Sequence, residues 1–361
     1  MQIDLSIFNP SKRPLIGVDL SSSAVKMVEL AVSDKSPSGY KIERYCIEPL
    51  PREVVMDGKI INIDLVSAAI ERAWKRLGSS TRYIAMALPA SAVITKKINL
   101  PADLREQEME FQVESEANQY IPFALEEVNL DFQVLGPAPS NPDEVEVLIA
   151  ASRKEMVEDR VACAEDAGLR PLVMDMDAYA SHGAYELLET QLPKGGLNQV
   201  IGVADIGANR IVVTMYRNGE AIYSREQAFG GYMLTQDIMR TYGMSMEEAE
   251  AAKRTNTLPE NYEAELLTPF LQNLSTEVVR AMQFFFSSTP YAHVDHMILA
   301  GGCSVIPGID EAVANETQVH TIVANPFSEM EIGSKVRQRN LQTDAPALLV
   351  ACGLALRRFD R

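Results

Sequence analysis

Two segments, one in each half of this 361-residue chain, open in the same way, and that duplication constrains the fold more than any other feature. Ile16-Gly17-Val18-Asp19 is followed by Leu20 and Ser21-Ser22-Ser23; Val203-Ala204-Asp205 is followed by Ile206-Gly207-Ala208-Asn209. Each is an apolar run of strand character that ends in Asp, passes through small or polar residues, and returns as a second strand. One such hairpin reads as an ordinary turn with an Asp at its tip. Two, each opening a half, read as a repeat. The chemistry open to such loops is simple. Small residues let backbone N–H groups approach phosphate oxygens, and an Asp at a strand end can hold Mg²⁺ through water, because Mg²⁺ gives up its hydration reluctantly. Two loops facing each other across a cleft would grip a polyphosphate from both sides.

The elements around the repeat follow from periodicity and punctuation. Residues 1–14 read as a short leader closed by Pro10 and Pro14. Strands are predicted at 15–19, 25–32 and 40–47, then a helix at 64–77 with Asn62 or Asp64 as its cap and Gly78 as its stop, then a strand at 83–88. Residues 89–165 read as an insertion: a strand at 93–100, a helix at 103–120, a hairpin at 128–135 and 145–150, and a helix at 154–167 closed by Gly168. Met109, Val113 and Ala117 share one face of the first of these helices, as core or as a partner groove, opposite a dense acidic face. A strand at 172–175 and a helix at 178–189 lead to the loop 192–198, whose Pro193-Lys194-Gly195-Gly196 marks a boundary between lobes. Strands at 200–205, 210–217 and 220–227 follow, the last two joined by Asn218-Gly219, a strong hairpin signal. Helices are predicted at 232–242, 245–253 and 262–286, the last with Leu266, Phe270, Leu274 and Val278 at core spacing. A strand at 297–300 runs into Gly301-Gly302, and two more helices open at Pro307 and Pro346.

Composition excludes several classes. Net charge is −17, which disfavours nucleic acid and anionic bilayers, and the terminal Arg357, Arg358 and Arg361 are few and interrupted by Asp360. Cys46, Cys163, Cys303 and Cys352 are scattered and form no CxxC pair, so they read as reduced thiols. The N-terminal residues lack a basic-then-apolar run, and the longest uncharged apolar stretch, 345–356, is shorter than the roughly 20 residues that span a bilayer. Membrane association is therefore expected to come through a partner. His293 and His296, without a third ligand in sight, are not read as a zinc site.

In this order the elements resemble the actin/Hsp70/sugar-kinase superfamily over nearly the whole chain. Segment 16–32 is similar to its first phosphate loop, 172–184 to its first connecting segment and 203–218 to its second phosphate loop. Ile298-Leu299-Ala300-Gly301-Gly302-Cys303-Ser304 is similar to its adenosine motif, and 345–356 to its second connecting helix. The resemblance implies a two-lobed α/β fold with ribonuclease H-like repeats. Its first lobe would be 15–88 with 166–197 and 340–361, its second lobe 198–339. The insertion at 89–165 replaces the usual second subdomain with a differently placed one, as in the FtsA and PilM families. Two stretches resemble the PilM family of type IV pilus assembly proteins in particular: Glu114 to Phe123 with Glu126-Glu127-Val128, and Phe229-Gly230-Gly231 through Thr235 and Ile238 to 246–253. That family implies a cytoplasmic adaptor that binds ATP and holds the N-terminal tail of the inner-membrane protein PilN.

The resemblance also implies roles. Asp19 and Asp205 would be the Mg²⁺ carboxylates, against a reading as strand-end turn caps. Ser21, Ser22, Ser23, Lys26, Gly207 and Asn209 would contact phosphate. Gly230, Gly231, Glu247 and Lys253 would lie on the nucleotide side, where Glu247 and Lys253 read equally as a solvated helix face. Gly301, Gly302 and Ser304 would pass close to adenine and the α-phosphate. Asp177 falls where hydrolysing relatives orient water, or it caps the following helix; any ATPase activity is expected to be weak. Three other readings compete. A small-molecule kinase would need a catalytic Asp and sugar-binding polar residues that do not stand out. An FtsA-like filament former would end in an amphipathic membrane helix, and the cytoplasmic half of a type II secretion platform protein would continue into a membrane span.

Overall fold

The computed structural model describes residues 14–139, 141–255 and 257–360. The leader expected at 1–14 lies outside them except for Pro14. The chain divides into two compact units, Met1–Met27, Cys46–Ala180 and Arg357–Arg361 in one, Val28–Tyr45 and Ser181–Leu356 in the other. No helix among the described residues is long and apolar enough to cross a membrane.

The chain opens with β1 (Ile16–Leu20), β2 (Ala24–Val32) and β3 (Tyr40–Pro49), the division between units falling within β2 and β3. A short ladder of β4 (Val55–Met56) and β5 (Lys59–Ile60) precedes α1 (Ile63–Leu77) and β6 (Tyr83–Leu88). The side chain of Asn62 accepts the Leu65 N–H at 3.0 Å and starts α1, and Gly78, in the left-handed region at φ 66°, stops it. Next come β7 (Val93–Pro101), α2 (Glu106–Tyr120), β8 (Val128–Ala138), β9 (Asn141–Arg153), α3 (Lys154–Asp166), β10 (Arg170–Met176) and α4 (Asp177–Glu189). Two sheets result, one ordered β7-β9-β8, and one that runs β10-β6-β1-β2-β3 and ends on a short strand from late in the chain. The β10, β6 and β1 strands are parallel.

The β7-β9-β8 sheet has a small core of its own. Met109 and Val113 of α2 are buried against Leu100, Val147 and Ile149, and Ala117 against Ile121, Val128 and Ala151. The α2 stripe is thus core. Strands β8 and β9 are longer than their sequences suggest, because pairing continues from Val134↔Val147 through Pro137↔Val145 to Ala138↔Asn141. There the alternation of apolar and polar residues has already stopped.

In the second unit β11 (Val200–Ile206), β12 (Ile211–Arg217) and β13 (Glu220–Gln227) form an antiparallel meander, followed by α5 (Gly231–Tyr242), α6 (Met246–Thr255), α7 (Thr268–Ser288), β14 (His296–Ala300), α8 (Ile309–Thr317) and β15 (His320–Val323). The sheet order is β13-β12-β11-β14-β15, and β14 is parallel to both neighbours. Then come β16 (Glu331–Ile332), which pairs with Lys41 and Ile42 of β3 as the edge of the first large sheet, α9 (Gln338–Asp344), a 3₁₀ turn at Ala345–Leu348 and α10 (Leu349–Leu356). The helix expected at 262–286 begins differently. Residues Glu263–Leu267 form a widened π turn in which the Thr268 N–H and hydroxyl both reach the Glu263 carbonyl, and α7 proper follows. Pro269 has no N–H to continue a regular α ladder backwards. Likewise the helix expected from Pro307 starts only after Gly308, at φ 78°, and α10 starts only after the 3₁₀ turn.

One buried charge organises the first unit. Arg160 of α3 is 1% exposed and donates to three carbonyls: Nε to Ala87 (3.0 Å), Nη1 to Met156 (3.0 Å) and Nη2 to Gly58 (2.7 Å). It ties the end of β6 and the β4–β5 turn to α3. Burial draws its pKa down to about 10, against the opposing pull of Asp159 and Asp177, so it stays charged at neutral pH. The Lys59–Glu155 pair, 2.7 Å apart, joins β5 to α3, but both of its side chains are more than half exposed. The contrast gives a prediction. Arg160→Ala strands carbonyls in the interior and should cost about 3 kcal/mol or more in urea unfolding. Lys59→Ala should leave the unfolding midpoint close to that of the parent chain, because an exposed pair is screened by solvent. Equal losses would show that Arg160 does not carry this contact.

Candidate functional site

The second unit's candidate site forms where β11 and β14 end side by side, paired Asp205↔Ala300. In open α/β sheets the carboxyl ends of parallel strands are where ligands are held. The β11–β12 turn is closed by the Gly207 N–H, which donates to the Arg210 carbonyl at 2.8 Å. The Gly207 carbonyl accepts from the Gly231 N–H (3.1 Å) and from Cys303 Sγ (3.2 Å), and the Ala208 carbonyl accepts from Tyr232 (2.8 Å). The N–H groups of Ala208 and Asn209 donate to no described backbone group and remain at the turn's tip. Gly207 therefore shapes the turn, and its own N–H is committed.

Three glycines allow this convergence. A Cβ on Gly230 would lie 2.4 Å from the Ala208 carbonyl oxygen, and one on Gly231 would lie 2.2 Å from Cys303 Sγ. Gly301, at φ 87°, would place a Cβ 2.4 Å from both an Asp205 carboxylate oxygen and the Ile206 carbonyl oxygen. The left-handed conformation and the close approach both require glycine there. Gly302 differs: it is exposed and a Cβ would meet nothing within 4 Å. The Ser304 hydroxyl turns inward to the Gly301 carbonyl at 2.7 Å, and the Cys303 N–H donates to Ile206. Burial pushes the Cys303 thiol up to about 11, so it packs as a neutral group.

Behind the start of α5, within the family-like stretch through Thr235 and 246–253, lies a polar cluster. Thr235, fully buried, donates to Glu250 Oε1 at 2.6 Å, and Lys253 Nζ reaches both Thr235 Oγ1 and Glu250 Oε1 at 2.7 Å. Burial alone would raise the Glu250 carboxyl, but the Lys253 charge and the hydrogen bonds from Lys253 and Thr235 outweigh it and hold the pKa down. Lys253 is thus anchored, whereas Glu247, in the first turn of α6, is exposed. The family-like stretch contained all three residues, but of the contacts among them only the i, i+3 pair of Glu250 and Lys253 was readable from spacing.

In the first unit, Asp19 is the last residue but one of β1, which runs one residue beyond the expected end. Its carboxylate pairs with Lys26 Nζ at 2.9 Å, both side chains mostly buried. The Ser21 N–H and hydroxyl both close the β1–β2 turn on the Ala24 carbonyl, and the Ser23 carbonyl accepts the Leu50 N–H, which leaves the hydroxyls of Ser22 and Ser23 as the turn's other polar side chains. Asp177 is the first residue of α4, and its Oδ1 accepts the Ala90 N–H at 2.8 Å. Asp175, at the end of β10, pairs with Arg357 at 2.6 Å.

The first unit also carries a groove of about 400 Å³ between the β7-β9-β8 subdomain and the β4–β5 and α3 region. Ile94, Ile121, Phe123 and Met156 supply apolar wall, with Asp57 and Lys59 at its margin. The Arg153 guanidinium stacks on the Phe123 ring at 4.1 Å.

Comparison with known proteins gives the same picture. The family model described as Type IV pilus assembly protein PilM matches residues 17–359. A solved PilM-PilN type IV pilus biogenesis complex is similar at 27% identity with a TM-score of 0.78, over 97% of this chain and 100% of that one. The ethanolamine utilization protein EutJ from Carboxydothermus hydrogenoformans is similar in fold, with a TM-score of 0.54 at 14% identity, over 95% of this chain and 89% of that one. The fold is that of the actin-like ATPase domains, with PilM-type features.

The glycine geometry generates a second prediction. Gly230→Ala should cost about 1–3 kcal/mol, since the clash is with backbone, while Gly302→Ala should be neutral within about 0.5 kcal/mol. For Gly231→Ala, adding Cys303→Ala should restore part of the loss, because the obstacle is the sulfur. A Gly231→Ala loss unchanged by Cys303→Ala in thermal unfolding would contradict this packing.

Proposed function

Because the chain belongs to the family of type IV pilus assembly protein PilM, we propose that it is a cytoplasmic, ATP-binding adaptor of the pilus inner-membrane platform. It reaches the membrane through its partner, whose N-terminal tail of PilN type it holds. The observation that carries this reading is the likeness to the PilM-PilN complex along almost the entire length of both chains.

The nucleotide part rests on fit. At the end of β11 the free N–H groups of Ala208 and Asn209, the N-terminus of α5 and the absence of side chains at Gly230, Gly231 and Gly301 suit an anionic ligand that must approach backbone closely. In this reading Asp205 holds Mg²⁺ through water, Asn209 meets phosphate, and Gly302 with Ser304 borders the adenosine. Lys253 and Glu247 belong to its ribose side. In the first unit the equivalent parts are Asp19 with Ser22 and Lys26, where the Asp19–Lys26 pair keeps a carboxylate and an ammonium together. Bound Mg·ATP would supply charge for the second unit's groups to hold. The chain's own residues orient it, and Asp177, bonded to Ala90, favours holding over rapid hydrolysis.

The tail is assigned to the groove beside Phe123. Its apolar walls and mixed marginal charges suit a short extended peptide with apolar side chains. Two experiments test the two halves separately. Asp205→Ala should remove Mg·ATP binding in calorimetry, and an unchanged affinity would sink the nucleotide assignment. A synthetic PilN N-terminal peptide should bind saturably in fluorescence anisotropy, with Phe123→Ala weakening it about tenfold, or ~1.4 kcal/mol. Peptide binding indifferent to Phe123 would move the partner site elsewhere, and phosphorylation of simple sugars would favour a kinase instead.

A further inference from the structure

At the opposite ends of the second unit's parallel strands from Asp205, two histidines stand side by side. His296 opens β14 and His320 opens β15, and the register pairs them directly, His296↔His320. Neighbouring residues on adjacent parallel strands project from the same face, so the rings must share that space. Their Nδ1 atoms are 3.4 Å apart, with ring centroids separated by 5.4 Å and ring planes at 90°. For an N–H···N hydrogen bond this is long. For a shared metal it is right: two imidazole nitrogens at roughly 2.0–2.1 Å from a tetrahedral ion stand about 3.3–3.4 Å apart.

We propose that His296 and His320 chelate a divalent transition metal of the zinc class through their Nδ1 atoms, clasping the edge strand β15 to β14. Two neutral imidazoles select Zn²⁺, Ni²⁺ or Cu²⁺ over the oxygen-seeking Mg²⁺ and Ca²⁺. The backbone leading to His320 is fixed by its surroundings. Gln318, left-handed at φ 57°, ends α8, and buried Val319 leads straight into His320, so the approach to the strand is fixed. The nearby Asp295 is not a third ligand: its Oδ2 accepts the Val200 N–H at 2.7 Å and faces His293 at 3.6 Å. Water completes the coordination.

The test is titration of the full chain, free of affinity tags, with Zn²⁺ in a calorimeter, using the parent and His296→Gln, His320→Gln and His293→Gln variants. The four cysteines provide a background common to all of them. The parent and His293→Gln should share one Zn²⁺ site that is weakened at least tenfold in both of the other variants. Zn²⁺ should raise the thermal midpoint of the parent and leave those two variants unmoved, their metal-free midpoints serving as the check on folding. No saturable site in the parent, or equal binding in all four proteins, overturns the proposal. Loss of the site in His293→Gln as well would do the same, by placing the ligands elsewhere.

Discussion

The architecture around the second Asp loop depends on backbone meeting backbone where a side chain would ordinarily stand. At the ends of β11 and β14 the peptide groups of Gly207, Ala208 and Ile206 are gripped by donors from Gly231, Tyr232 and Cys303, and the Gly301 N–H is spent on Pro346. Buried peptide groups must find partners, and here they find each other only because positions 230, 231 and 301 carry no Cβ. The turn is thereby fixed from three sides. In the proposed reading, the N–H groups of Ala208 and Asn209, which donate to no described backbone group, are arranged in advance and leave little ordering for an anionic ligand to impose.

Much of this was legible in the sequence. An apolar run ending in Asp205 announced β11. Asn218-Gly219, with both residues at positive φ, announced the β12–β13 turn. Asn62 and Gly78 bounded α1. The glycine pairs at 230–231 and 301–302 stood out as well, but sequence could not tell that three of the four are required by packing and the fourth is not. That distinction lies in what a Cβ would touch, which is a property of elements far apart in the chain.

What was illegible has two physical causes. Strands β4, β5, β15 and β16, at two to four residues each, are too short for any period to register. The polar interior groups look like surface in one dimension. Arg160 sits in a helix rich in acidic and basic residues and reads as solvated, yet it is among the most buried side chains of its unit. Thr235, Glu250 and Lys253 come from two helices and are brought together only by the packing of α5 on α6. Buried polar clusters are specified by the completeness of their hydrogen bonding, and sequence spacing carries only a fragment of that information.

The contact made by Asp177 at the start of α4 gives the first unit a mechanical logic. Its carboxylate holds the N–H of Ala90, which begins the turn Ala90–Ala92; the Ala92 carbonyl accepts the Ser152 hydroxyl at 2.9 Å, and Ala92 and Ser152 both border the groove beside Phe123. The first residue of α4 and a wall of the groove are thus links in one short hydrogen-bonded chain. Arg160, a few residues along α3 from groove-lining Met156, fixes the opposite wall through Gly58. Displacing the start of α4 must either break the Asp177–Ala90 bond or carry the groove wall with it. Contiguous hydrogen-bonded links of this kind are one way in which energetic coupling travels through a fold. In this chain each link joins one side chain, of Asp177, Ser152 or Arg160, to a backbone N–H or carbonyl.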